Sequence, residues 1–296
     1  MTEQTIEIPR GEPFALRLLK SIALLRESGV GMIGAGIIVF WALVAIFAGV
    51  LAPFEPNEQL RAATYAVPGT EFEDGRVFWL GADNLGRDIL SRIIHGTRQV
   101  LLYAPLATFC AYAVGIPMGL AAGYVGGWVD EVLSFVANVI LSFPVLVLYV
   151  LIIATVGASA VNIVVAVTFA SAPGIMRIVR GLVLDLRSRE YVAAAETRGE
   201  NAPRIMFVEI LPNARGPLIV DSCLRLGYVV ITIGVLGFLG LGLPPPDPDW
   251  GGMVNETRRM QMMFPHMGIY PCIAISSLVL GFNLLADGLR EVSLRD

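Results

Sequence analysis

The sequence predicts an all-α membrane protein with six transmembrane helices and a helical loop on its cytoplasmic face. Three observations carry this reading. The chain has 296 residues, of which 55% are hydrophobic and 16% charged, whereas a soluble domain carries about 25% charge. Segments 28–54, 99–129, 132–176, 226–246 and 260–286 contain no Asp, Glu, Lys or Arg, and each exceeds the roughly 18 apolar residues of a spanning helix. The third segment is 45 residues long. As one straight helix it would measure about 68 Å, roughly twice the hydrocarbon thickness. It must fold back, and Gly157-Ala158-Ser159 supplies the turn, which makes six spans.

The elements follow in order. Residues 1–28 form a cytoplasmic lead whose mixed apolar and basic stretch, Phe14 to Arg26, lies on the membrane surface. This lead is not a cleavable signal, because its apolar run begins late, is too long and ends in Pro53 without a small-residue cleavage pattern. Span one occupies about 30–52 within a segment 29–53, and an external loop covers 54–98. The five-span core, 99–288, begins with span two at about 99–123. A tight turn, Gly126-Gly127-Trp128-Val129-Asp130, leads to span three at about 131–156. Span four covers about 160–180, span five about 216–242 and span six about 266–287, with a Pro-rich external loop from Leu243 to Pro265 and a tail at 289–296. Segments 1–28, 177–215 and 289–296 hold 13 of the 21 basic residues. Positive charge marks the cytoplasmic side, so both termini are placed inside.

The composition also excludes functions. A net charge of −4 does not suit a nucleic-acid partner. Cys110, Cys223 and Cys272 lie far apart in or beside apolar spans and read as packing residues without metal spacing. His95 and His266, the two histidines, match no nucleophile motif with Ser91 or Asp88. A proton-coupled carrier buries a carboxylate near the bilayer centre, and spans one to four offer none. Asp221 and Arg225, spaced i,i+4 near the inner end of span five, read as an interfacial pair, and Asp287 ends span six. Gly115, Gly119 and Gly123 line one stripe of span two, the pattern of close helix packing. The only lysine is Lys20, preceded by Leu18-Leu19, so no Walker loop is present. If ATP drives this protein, another subunit hydrolyses it.

The loop 181–213 is where such a subunit would dock. Ser188 is placed as an N-cap, Gly199 as a helix stop, Asn201 and Pro203 as a second helix start, and Pro212 as its end. Ala193, Ala194 and Ala195 give a smooth helix surface suited to a partner's groove. In the external loop, Leu80-Gly81 and Leu85-Gly86 punctuate the chain, and Arg87 and Asp88 are expected to form a local ion pair that shapes it.

These residues resemble a known family. Ala194-Ala195, Gly199 and Ile210-Leu211-Pro212 look like the EAA motif of ABC importer permeases, with Ala193 where that motif carries its leading Glu. Leu80-Gly-Ala-Asp-Asn-Leu-Gly-Arg-Asp-Ile-Leu-Ser-Arg92 resembles the external signature of the dipeptide and oligopeptide permeases of the C type, through Gly81, Asp83, Gly86, Arg87, Asp88, Ser91 and Arg92. Ala122 to Asp130, Phe238 to Gly251 and Phe282 to Arg290 are similar to further segments of that family in the same order. The resemblance implies a type I ABC importer permease fold, non-catalytic, with 181–213 as a coupling helix and no cofactor of its own. It implies a homologous B-type permease, two ATP-binding subunits holding ATP and Mg, an extracytoplasmic binding protein and a prokaryotic inner membrane. Peptide is the implied cargo, and nickel and glutathione importers belong to the same family. A stand-alone secondary carrier is the rival reading.

Overall fold

The computed structural model describes residues 28–72 and 75–293. The surface stretch expected at Phe14–Arg26 lies outside them. Among the described residues five helices are long and apolar enough to cross a membrane, and a bent helix pair counted as one span brings the number to six. The expected all-α architecture is therefore observed, with a two-stranded hairpin, β1 (Thr70–Glu71) and β2 (Val77–Phe78), in the first long connection.

Helix α1 (Gly29–Ile46) starts at Ser28, whose Oγ accepts from Gly31 N at 3.2 Å, and continues as the single turn α2 (Ala48–Leu51). Helix α3 (Ile89–Val125) is 37 residues long and begins ten residues before the expected span. Its first turns mix aliphatic and polar residues, and Ser91 and Arg92 are buried, bonded to the preceding loop. Tertiary contact, not hydrophobicity, recruits them into the helix.

Helices α4 (Gly127–Leu141) and α5 (Val145–Val156) correct the straight third span. They meet at 86° across Ser142-Phe143-Pro144. Pro144 has no N–H to donate and pushes Phe143 out of the helical region, so the helix stops there. At 1.5 Å per residue neither half alone crosses about 30 Å of hydrocarbon. The turn at Gly157 to Ser159 is as expected, with Ser159 capping Asn162 N.

Helix α6 (Ala160–Leu186) returns through the bundle and packs most extensively on α3. The Gly115/Gly119/Gly123 stripe makes this possible. A Cβ at these positions would stand 2.7, 2.5 and 2.7 Å from the Cβ atoms of Ile175, Val179 and Val183. Helix α7 (Glu190–Thr197) is short, and α8 (Ala202–Phe238) runs unbroken for 37 residues. Pro212 does not end a helix as expected. Residues Ile205–Ile210 widen into a π-helical turn immediately before it, which absorbs the missing donor. Helix α9 (Trp250–Thr257) lies inside what the sequence reads as a Pro-rich loop, and α10 (His266–Ser293) packs on α1 and α8. Of the cysteines, Cys223 is buried and Cys272 exposed.

Candidate functional site

Two sets of residues stand at opposite ends of the bundle. The first is the α6–α8 connection. Helix α7 turns one face inward, burying Val192 and Ala195 against Ile205 and Ile210, while Ala193 and Ala194 are exposed. The alanine surface is thus split: two of the three face outward. Arg189 is the N-cap rather than Ser188, whose Oγ donates instead to Asp185 O at 2.8 Å. The helix ends on Gly199 at φ +75°. Gly199 N donates to Glu196 O at 2.9 Å and Glu200 N to Ala195 O at 3.2 Å. That pair of bonds is a Schellman turn, whose left-handed residue favours glycine. Asn201 Oδ1 then accepts from Arg204 N at 3.0 Å and starts α8, with Pro203 in its first turn. Arg198 pairs with Glu200 at 2.8 Å and Glu209 at 3.6 Å, which ties the turn to α8. Tyr124 donates to Glu196 at 3.0 Å, anchoring α7 to the end of α3, and Arg187, at the end of α6, donates to Gly123 O at 3.1 Å beside it. Ile210 is buried, Leu211 half-buried and Pro212 exposed. The result is a stiff helix–turn–helix whose movement would be transmitted to α3, α6 and α8.

The second set joins the connection before α3 to α9. Phe54 stacks on Phe78 at 4.5 Å and, with Ala63 and Ala82, forms a small separate core. Gly81 (φ +82°) and Gly86 (φ +75°) turn the chain back onto it. Asp83 Oδ1 accepts from Leu85 N at 2.8 Å and Arg87 N at 3.0 Å, and Oδ2 accepts from Arg87 Nε at 2.6 Å. Arg87 does not pair with its neighbour Asp88. Its other arm donates to Glu256 on α9, and Arg92 stands 3.8 Å from the same carboxylate. Asp88 instead caps α3, accepting from Ser91 N at 2.7 Å. Ser91 Oγ accepts from Phe54 N at 3.0 Å, and Arg92 donates to Pro56 O and to Asn57 Oδ1. Asp83, Arg87, Asp88, Ser91 and Arg92 are all buried. They hold the loop closed and present no face to a soluble cargo.

Sequence reasoning missed the other half of this clasp. Asp249 caps α9 by accepting from Gly251 N and Gly252 N. Trp250 is fully buried, donates to Ile93 O at 3.0 Å and lies 5.1 Å from the Trp41 ring. The available signal was an Asp before an apolar–Gly–Gly run, the pattern of an N-cap. Burial pushes the Asp249 carboxyl up to about 6, against the pull of its two backbone donors. Its folded value exceeds the ordinary one, so the folded state holds the proton more tightly. The penalty, on the order of 3 kcal/mol, is present in full above pH 6 and fades as pH falls toward about 4. The difference in Tm between wild type and Asp249→Asn should therefore shift in favour of wild type from pH 7.5 to 4.5. A pH-independent difference would refute this.

The comparisons with known proteins agree with this architecture. A family described as "Binding-protein-dependent transport system inner membrane component" matches residues 115–295, and one described as "N-terminal TM domain of oligopeptide transport permease C" matches 23–68. The glutathione transport system permease protein GsiD of Pectobacterium atrosepticum is 42% identical over 213 residues, covering 72% of this chain and 71% of that protein. The dipeptide transport system permease protein DppC of Haemophilus influenzae is 36% identical over 267 residues, 90% of each chain. A solved structure of the MetNI methionine ABC transporter aligns with a TM-score of 0.58 at 19% identity, covering 69% of this chain and 97% of the other, and so shares the fold.

Proposed function

The chain belongs to the binding-protein-dependent inner membrane components, of the oligopeptide permease C type, and from that premise we propose that it forms half of a peptide import pathway driven by ATP hydrolysis on partner subunits. It is a multi-pass permease subunit of an ABC importer. Its proposed partners are a homologous B-type permease, two ATP-binding subunits that hold ATP and Mg, and an extracytoplasmic binding protein that delivers cargo. Both termini face the cytoplasm of a prokaryotic inner membrane. The α7 end then meets the ATPases, and the buried clasp lies on the external side.

The observation that carries the coupling role is the helix pair hinged at Gly199, with Ala193 and Ala194 outward on α7. Closing of the ATPases on ATP would draw this helix and its counterpart in the B-type permease together, rocking α3, α6 and α8 toward an outward-open state. Hydrolysis would reset the gate. The permease supplies no chemistry, only two states biased by partner contacts. Ala193, where the family motif holds Glu, contributes a small contact surface rather than an ion pair. Cargo is assigned as di- or oligopeptide on the strength of the dipeptide relative, which matches over 90% of the chain. The second reading, glutathione, is favoured by the 42% identity to GsiD.

Gly199→Val tests the coupling role. No heavy atom lies within 4 Å of a Cβ built on Gly199, so the strain comes from φ alone, about 1–2 kcal/mol for a left-handed L-residue. The variant should insert and co-purify with its partners, yet import peptide at least tenfold more slowly. Gly199→Asn, whose side chain tolerates this conformation, should keep most of the activity. Normal uptake by Gly199→Val in proteoliposomes would overturn the assignment of this loop.

A further inference from the structure

Arg225 is set inside the bundle together with its partner Asp221. It lies 13 residues from the Phe238 end of α8, roughly 20 Å at 1.5 Å per residue. Its guanidinium nitrogens stand 3.5 Å from the place a Cβ would take on Gly174, near the middle of α6. Arg225 thus lies within the helix bundle beside the middle of α6, and an ionisable group inside an apolar span is expensive and marks a candidate functional site. It pairs with Asp221 at 2.7 Å through Nε, and Tyr112 donates to the same carboxylate. The Arg225 side chain remains 20% exposed.

That exposure opens into a cavity of about 380 Å³ beneath the α4–α5 bend, lined by Leu141 and Val145 from either side of the break. Most of its wall is apolar, but Tyr149, Ser171, Thr108 and Thr232 add hydroxyls to the Arg225 charge. A roomy apolar chamber with a few convergent polar groups is the form of a small-solute site. Asp221 engages the Nε edge of the guanidinium. The ends of its two terminal nitrogens face Gly174, which has no side chain to cover them. Arg225 also lines the cavity, and a guanidinium on a cavity wall is suited to a carboxylate.

Resting on the permease reading above, we propose that this cavity is a way station for cargo, with Arg225 binding a carboxylate of the passing peptide and Asp221 holding the guanidinium in place. Gly174 lets the guanidinium pack closely on α6, and the hydroxyls on the wall receive the polar backbone.

The test uses the full transporter in proteoliposomes with one fixed binding protein, so that any change between variants belongs to the permease. Initial uptake is measured for di-alanine and for glutathione, each beside its C-terminal amide. Wild type should prefer the free acid, and Arg225→Gln should reduce that preference by about tenfold, the worth of a charge-assisted hydrogen bond. Arg225→Lys should retain part of it. The double variant Asp221→Asn/Arg225→Gln leaves no lone charge in the bundle and should lose the preference as Arg225→Gln does, even if the single variant assembles poorly. An acid-to-amide preference equal to wild type in the double variant would overturn this site and leave the permease reading standing. A wild-type complex that imports neither peptide would overturn the peptide-import reading itself, and this site with it.

Discussion

Gly119→Ala is expected to lower the Tm of the purified protein by roughly 6–12 °C, an effect of about 3 kcal/mol. The added methyl would stand 2.5 Å from Val179 Cβ and 2.7 Å from Met176 O, where carbon atoms rest at about 3.5–4.0 Å. Neither neighbour is the end of a flexible side chain, so the helix axes must separate by about an ångström. In lipid no hydrophobic drive holds helices together, and close packing itself is the attraction. Separation therefore loses contact along the whole α3–α6 face. Val179→Ala should not rescue the variant, because the clashing atom is the Cβ that alanine keeps; Val179→Gly should rescue in part. Gly181→Ala is the control. It lies in α6, and no heavy atom sits within 4 Å of its Cβ position, so the same chemical change should be neutral or slightly stabilising. Equal melting of the Gly119 and Gly181 variants would refute the stripe as the packing seam.

The contrast between those two glycines shows what was legible in the sequence. Spacing alone placed Gly115, Gly119 and Gly123 on one face, and their partners Ile175, Val179 and Val183 repeat the same four-residue step on α6. The spans were legible because hydrocarbon tolerates so few charges. Their ends were not. Ile89 to Arg98 mixes aliphatic with polar residues and is helical because its buried side chains pack on the preceding loop and on α9, and no local pattern reports that. The bend at Pro144 was visible as a residue but hidden by the uniformly apolar run around it. Pro212 misled for the opposite reason, since a π turn six residues long removed the break that proline normally imposes. In the candidate sites, the Gly199 turn is local and was read from the sequence. The partner of Arg87 was not, because Glu256 is 169 residues away; the neighbouring Asp88 was the obvious choice, and the helix it caps claimed it first. Arg225 was read from its place in the sequence as interfacial, and no local pattern reports that its guanidinium reaches Gly174 near the middle of α6.

Arg87→Ala is expected to be the most damaging change at the other end of the molecule, at about 3–5 kcal/mol, the usual effect of breaking a buried ion pair from one side. The side chains of Arg87 and Asp83 are 5% and 6% exposed, whereas Glu256 is 29% exposed. Removing Arg87 leaves Asp83 charged and almost dry, held only by the N–H groups of Leu85 and of residue 87 itself. Glu256→Gln should do much less, because Arg87 keeps Asp83 and water reaches the vacated side. Arg87→Lys should fall between them: an ammonium retains the charge but cannot fork toward two carboxylates on different elements. The double variant Asp83→Asn/Arg87→Met removes both charges of the dry pair, and it should recover a large part of the loss. Two readouts separate this from a general weakening. Limited proteolysis should cut between residues 54 and 88 in Arg87→Ala while leaving the spans whole, since the clasp is what seats that connection on α9. Binding-protein docking should weaken in step with the proteolysis, because the exposed surface of the loop keeps its shape only while its buried charges hold it. Unchanged proteolysis in Arg87→Ala would mean that the Phe54–Phe78 core holds the loop alone, and that the buried arginines serve something other than its closure.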